Sequence, residues 1–273
     1  MSETLSAPID KTARSPAEVY DKQFVPALFR QWGPVLCDAA HIGPEQRVLD
    51  VACGTGALTL AVAGRVRPGG AVVGLDANAE MLAVARRKAA DVEWHEGRAE
   101  MLPFADASFD AVVSQFGLMF FDDRVAALRE MQRVLRPRGR LAVAVCDALE
   151  HSPGYAALAA LLERLFGKRV ADAFRAPFML GDAAALRALC VEAGLAEAGI
   201  AQHQGTVRFA SIDALISTER ACVWTLGGLL DEAQFQRLRR EAQAMLRPFA
   251  DAGGRVAFAM PALLITAAKR QDA

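Results

Sequence analysis

Residues Arg47–Leu60 read RVLDVACGTGALTL. Val48, Leu49 and Val51 favour an extended strand, whereas Ala57–Leu60 favour a helix, and Gly54 and Gly56 stand between the two. A strand, a glycine turn and a helix start together present backbone N–H groups, which suits an anion or a ligand lying close to the main chain. The dinucleotide pattern G-x-G-x-x-G needs a third glycine, and counted from Gly54 and Gly56 that place is Thr59. The phosphate-gripping G-x-x-x-x-G-K-[ST] pattern does not occur.

Outward from this unit, strands and helices alternate. Strands are expected at Arg47–Val51, Ala71–Asp76, Val92–Glu96, Phe109–Ser114 and Arg140–Val145, with helices near Ala57–Val66, Asn78–Ala90 and Asp122–Arg136. The last helix carries Val125, Leu128, Met131, Val134 and Leu135 at helical spacing and closes on Pro137 and Gly139. Such alternation predicts a parallel sheet with helices on both faces, whose ligand lies outside the carboxyl ends of the strands. Beyond Val145 the pattern turns helical, at Tyr155–Phe166 and Asp182–Ala193, followed by a strand near Ala198–Val207. An insertion of two helices over Ser211–Ala250 comes next, the second opened by the capping pattern Asp231–Gln234, and a last apolar strand, Val256–Ala267, returns to the sheet. With no repeat or low-complexity linker, residues 1–273 are read as one domain.

Composition limits the function. The chain has 273 residues, 53% hydrophobic, with 31 Lys plus Arg against 32 Asp plus Glu and no long basic run, which argues against nucleic acid as a partner. No apolar stretch reaches the roughly 18 residues of a membrane span, and the polar start lacks a secretory pattern. Cys37, Cys53, Cys146, Cys190 and Cys222 are scattered with no C-x-x-C pair, as expected of reduced thiols in a cytoplasmic protein without a metal site.

Two further stretches carry chemistry. GLDANAEML, Gly74–Leu82, ends the second strand on Asp76. A carboxylate there can accept both hydroxyls of a ribose, or it can simply cap the helix that follows. EGRAEMLPFADASFDAVVSQFGLMFF, Glu96–Phe121, holds a third strand end, a Pro-bounded loop and a fourth strand end. In this order the three stretches resemble the class I S-adenosylmethionine-dependent methyltransferases, nearest the ubiquinone/menaquinone-biosynthesis-like small-molecule branch. The resemblance covers roughly Tyr20–Val145.

The resemblance implies an α/β, doubly wound Rossmann-like fold with a mostly parallel seven-stranded sheet and helical lid insertions. The core would take about 35–147, 182–209 and 254–270, and lids about 15–34, 149–180 and 211–250. It implies S-adenosylmethionine as cofactor, with Asp50 and the turn from Ala52 through Gly54 to Gly56 meeting its methionine and ribose parts. Asp76 would hold the ribose, Ala77 and Met81 flank the adenine, Ala99 and Glu100 border its edge, and Gln115 and Phe116 lie under the sulfonium. Tyr20 and Phe24, on one helical face, would cover the cofactor or simply pack into the core. The chain departs from the family at Ala52, where a glycine is usual, and at Arg98, where an acid often precedes the Ala-Glu pair.

Methyl transfer asks the protein for positioning, and for a general base only if the acceptor arrives protonated. Substrate-pocket candidates at the rim of the later strands are Phe120, Asp147, His151, Tyr155 and Trp224. His151 is the candidate base, or a histidine that caps a loop. Glu219 falls on the apolar stripe of the first insertion helix, where an ion pair with an arginine is the expectation and a cavity-facing acid the alternative. Pocket walls of Phe116, Met119, Phe120, Phe178 and Trp224 would suit an apolar or aromatic small-molecule acceptor. The rival readings are a nicotinamide-dependent oxidoreductase on a similar fold and a cofactor-binding module without catalysis.

Overall fold

The computed structural model describes residues 15–222 and 225–271. Nine strands occur among them: β1 Arg47–Val51, β2 Ala71–Asp76, β3 Glu93–Glu96, β4 Phe109–Gln115 and β5 Leu135–Cys146, then β6 Gly199–His203, β7 Thr206–Phe209, β8 Val256–Ala259 and β9 Ala262–Ala268. Seven form one sheet in the order β3-β2-β1-β4-β5-β9-β6, while β7 and β8 pair as a separate ribbon. All pairings from β3 to β5 are parallel, and β9 runs antiparallel between β5 and β6.

The central strands are buried end to end. Val48, Leu49 and Val51 of β1, Ala111–Val113 of β4 and Leu141–Val145 of β5 are at most 1% exposed, as befits a sheet covered on both faces. The chain moves outward from β1 to β2 and β3, then returns to the other side of β1 for β4. That reversal opens a crevice at the carboxyl ends of β1 and β4, and it fixes where a ligand can lie.

Three boundaries differ from the sequence expectation. The helix expected to Arg136 stops at Val134, and β5 begins at Leu135. Leu135 already pairs with Phe109, a register shift follows, and Arg138 adopts φ 67, so Pro137 and Gly139 lie inside an irregular strand. The strands expected at Ala198–Val207 and Val256–Ala267 each break in two. At the break Pro261 has no N–H for the ladder, and Gly205 presses on Trp32, whose ring a Cβ there would meet at 2.3 Å. Residues 206–209 and 256–259 therefore leave the main sheet and form the ribbon, rather than returning to it.

Helical segments close over the carboxyl ends. Pro16–Val19 is capped by Ser15 and runs into a π-helical stretch, Tyr20–Phe29, with Pro26 inside it. Proline cannot donate and crowds the preceding α-turn, and the wider turns accommodate it. Gln31 then ties this segment to the ribbon, donating to Thr206 O at 2.9 Å and accepting from Thr206 N at 3.0 Å. Helix Glu232–Met245 opens with the expected capping box between Asp231 and Gln234 and buries Phe235, Leu238 and Ala242. Its neighbour in the insertion is Ile212–Ala221, and Pro153–Phe166 packs on Lys168–Arg175.

Candidate active site

The turn after β1 has three residues in the left-handed region: Ala52 at φ 59, Gly54 at φ 54 and Gly56 at φ 82. Two are glycines, for which this conformation is unstrained, while Ala52 carries the strain. The Gly54 N–H donates to Asp76 Oδ2 at 2.7 Å, and the Asn78 N–H donates to Asp76 Oδ1 at 2.8 Å. Asp76 thus clips the β1 turn to the β2 turn. The helix after β2 is capped by Asn78 instead, whose side chain accepts from the N–H groups of Glu80 and Met81. Burial raises the Asp76 pKa, and the two backbone donors hold it back.

Behind the turn, Asp50 is fully buried and accepts from Thr59 Oγ1 at 2.6 Å. Thr59, the residue standing where a dinucleotide fingerprint has glycine, thus anchors this carboxyl. The other Asp50 oxygen has no partner among the described residues, and burial pushes the group up to about 7.

A cavity of about 750 Å³ covers the carboxyl ends of the strands. Following the sheet, its lining passes from Asp76, Ala77, Met81, Ala99 and Glu100 to Ala52, Gln115 and Phe116, and on to Phe120, Cys146, Tyr155, Phe178 and Glu219. Tyr20, Phe24 and Phe29 line it from the N-terminal segment, Tyr20 stacking on Phe29 with ring centres 5.3 Å apart and Phe29 meeting Phe116 at 5.5 Å. Phe24 is also 5% exposed, so for it covering the cavity and packing into the core are one arrangement. Gln115 Oε1 is buried without a hydrogen-bond partner among the described residues. Exposed Arg98 pairs with Asp122 and Glu100, and Glu100 Oε1 also accepts from Asp122 N at 2.9 Å.

Of the residues the sequence put forward to bind cofactor or line the acceptor pocket, Tyr20, Phe24, Ala52, Asp76, Ala77, Met81, Ala99, Glu100, Gln115, Phe116, Phe120 and Tyr155 line the cavity, as do Arg98, Phe178 and Glu219. Asp50, Gly54 and Gly56 stand behind the lining and shape the turn; a Cβ on Gly56 would meet Trp94 at 2.7 Å. Trp224 and Val223 lie outside the described residues.

Two expectations are corrected. His151 and Asp147 do not line the cavity. The short turn Leu149–His151 brings His151 Nδ1 to 3.0 Å from Asp147 Oδ2, with the imidazole 54% exposed, while buried Asp147 holds Gln202 and the Ala148 N–H. The candidate base is therefore a surface histidine on a loop. Glu219, in turn, has no arginine partner among the described residues. It is 2% exposed and lines the cavity, accepting from Thr225 Oγ1 at 2.9 Å and from the Tyr155 hydroxyl. The nearby arginines are engaged elsewhere, Arg220 with Glu232 at 2.8 Å and Arg239 with Asp213 at 3.0 Å. The only sequence signal for Glu219 was an acid on an apolar stripe.

A methyltransferase-domain family model matches residues 49–143. A demethylmenaquinone methyltransferase of Mycobacterium sp. (strain KMS) is 39% identical over 174 residues, 64% of this chain and 72% of that protein. The ubiquinone/menaquinone biosynthesis C-methyltransferase of Hahella chejuensis is 45% identical over 122 residues, 42% of this chain. The match spans 49% of the Hahella protein, and another demethylmenaquinone methyltransferase is matched over 39% of its length. Among solved structures, the YcgJ protein of Bacillus subtilis superposes with a TM-score of 0.59 at 21% identity, covering 88% of this chain and 98% of that one, which shows the shared fold.

The site fits the cofactor of such enzymes. It offers a half-buried carboxylate clipped between two turns, a turn whose glycines admit a close ligand, and, at the end of β4, an amide oxygen with no hydrogen-bond partner among the described residues. The chain belongs to the class I S-adenosylmethionine-dependent methyltransferases, in the ubiquinone/menaquinone-biosynthesis-like small-molecule branch.

Proposed function

We propose that this chain transfers a methyl group from S-adenosylmethionine to a small acceptor with an apolar or aromatic body, a quinone-type ring in its reduced, hydroxyl-bearing form being the best match. One observation carries this reading: a single cavity joins a carboxylate-bearing end at Asp76 to an aromatic chamber at Tyr155 and Phe178. The curated relatives named for demethylmenaquinone and for ubiquinone/menaquinone biosynthesis support the acceptor class.

Residue roles follow from placement. Asp76 accepts the ribose hydroxyls with the lone pairs left by its backbone donors, Ala77 and Met81 flank the adenine, and Ala99 and Glu100 border its edge. The turn from Ala52 through Gly54 to Gly56, backed by Asp50, meets the methionine and ribose parts. Gln115 and Phe116 lie at the sulfonium side. Tyr20 and Phe24 cover the cofactor, and Phe120 and Tyr155 wall the acceptor. Bound S-adenosylmethionine supplies an electrophilic methyl on positive sulfur. The protein aligns the acceptor and shuts out water, and alignment accounts for most of the barrier reduction in such displacements.

Residues 15–34, 149–180 and 211–250 act as lids on one domain, since each supplies residues to the cavity wall. Five unbridged cysteines, four of them buried, fit a reducing cytoplasmic setting, and the balanced charge fits a partner other than nucleic acid. No described helix is long and apolar enough to cross a membrane.

Calorimetry with S-adenosylhomocysteine and with NAD(H), together with native mass spectrometry of the purified chain, tests the reading. Binding of S-adenosylhomocysteine alone is expected. Binding of NAD(H) alone would overturn the proposal.

A further inference from the structure

The acceptor end of the cavity holds one buried carboxyl, Glu219, on the inner stripe of the helix Ile212–Ala221. Thr225 Oγ1 at 2.9 Å and the Tyr155 hydroxyl both donate to it, and Cys146, Phe174 and Phe178 line the same chamber. Among the described lining residues the one Lys or Arg is Arg98, which is exposed and paired with Asp122 and Glu100. A carboxylate held by two hydroxyls keeps lone pairs free, and in an apolar chamber a ligand hydroxyl is the partner that satisfies them.

Resting on the methyl-transfer reading, we propose that Glu219 is a catalytic residue that takes the proton from a hydroxyl on the acceptor's aromatic ring, held in place by Tyr155 and Thr225. The O–H bond breaks and its proton passes to the Glu219 carboxylate. The released electron pair, on oxygen or relayed to the adjacent ring carbon, forms the bond to the methyl carbon. The carbon–sulfur bond breaks and its pair stays on sulfur, which becomes neutral. For attack through carbon, the ring C–H proton leaves to solvent afterwards.

Burial raises Glu219 from 4.5 to about 7, which makes it a stronger base than an ordinary carboxylate and ionised above that pH. The titratable groups facing it are Tyr155 on the helix Pro153–Phe166, Cys146 at the end of β5 and Cys222 just past its own helix. Charged residues on the packed elements pair elsewhere or face solvent: Arg239 with Asp213, Arg220 with Glu232, Glu18 with Arg87, Asp21 with Lys88, and exposed Arg208 on β7.

The test compares binding of naphthol with that of its methyl ether, using the full chain with and without S-adenosylhomocysteine. Above pH 7 the wild type is expected to prefer naphthol by about tenfold, the effect of one hydrogen bond to a charged acceptor. The preference should shrink below that pH, nearly vanish and lose its pH dependence in Glu219→Gln, and return in part in Glu219→Asp. An unchanged preference in folded Glu219→Gln overturns the proposal. Should that variant not fold, a pH-independent preference in the wild type overturns it equally. Absence of S-adenosylhomocysteine binding would sink the methyl-transfer reading instead, and the naphthol measurement without it would still decide whether Glu219 receives a hydroxyl.

Discussion

Replacing Asp76 with alanine separates two jobs that this carboxylate holds at once. It accepts from Gly54 N at 2.7 Å and from Asn78 N at 2.8 Å, so its loss strands both donors. Both donors are half-buried, and leaving them without this acceptor costs about 1–3 kcal/mol of folding stability. The remaining lone pairs are those assigned to the ribose, and hydrogen bonds to a charged acceptor are worth about 1.5–3 kcal/mol. Calorimetry should therefore show S-adenosylhomocysteine binding weakened by roughly ten- to a hundredfold, at 1.4 kcal/mol per decade. Asn78→Ala is the control. It removes the helix cap, at about 1 kcal/mol of stability in urea melts, and leaves affinity within about threefold. Asp76→Ala that folds and binds normally would refute the assignment, as would an Asn78→Ala that loses as much affinity.

Gly54→Val should fold yet lose S-adenosylhomocysteine binding in calorimetry, because a branched side chain at φ 54 strains the turn and points toward Tyr20, 3.9 Å from a Cβ. Ala52→Gly relieves a left-handed alanine at φ 59 and should raise stability in urea melts by up to about 1 kcal/mol; a loss beyond that would mean the methyl is packed rather than strained. For Glu219, a folded pKa above the unfolded one means that the charged form is disfavoured on folding. The penalty is absent below pH 4.5, grows as pH rises and is complete above about 7. Glu219→Gln should accordingly stabilise the protein above pH 7, by at most about 3 kcal/mol at 1.36 per unit of pH, and leave melts in acid unchanged.

The strand and glycine turn at Arg47–Gly56 were legible because their signals are local. The apolar run of β1 and the glycines that tolerate φ above zero each act within a few residues, whereas the helix cap, offered at Asp76, falls to Asn78. The acceptor end depends on distant pairings. Nothing near Glu219 in sequence announces Tyr155, and an acid on an apolar stripe invited an ion pair with an arginine, whereas the fold sends the adjacent Arg220 to Glu232. His151 misled for a related reason: a place just after a strand fixes the rim a residue occupies but not the direction of its side chain. The breaks at Gly205 and Pro261 carried turn residues in plain view, yet apolar sequence on both sides read as one continuous strand.

The ribbon of β7 and β8 has a consequence for how the acceptor end can change. Phe209 and Val256 are paired, so the 46 residues from 210 to 255 leave and rejoin the fold one strand spacing apart, about 5 Å. A loop whose ends are already pinned together tolerates altered length well, since each doubling adds only about 0.6 kcal/mol of closure entropy. Relatives can lengthen, shorten or recompose this insertion, and with it the chamber around Glu219, while β1 to β5 stay in register. The methyltransferase-domain match, confined to residues 49–143, has the boundaries such a division of labour leaves in sequence.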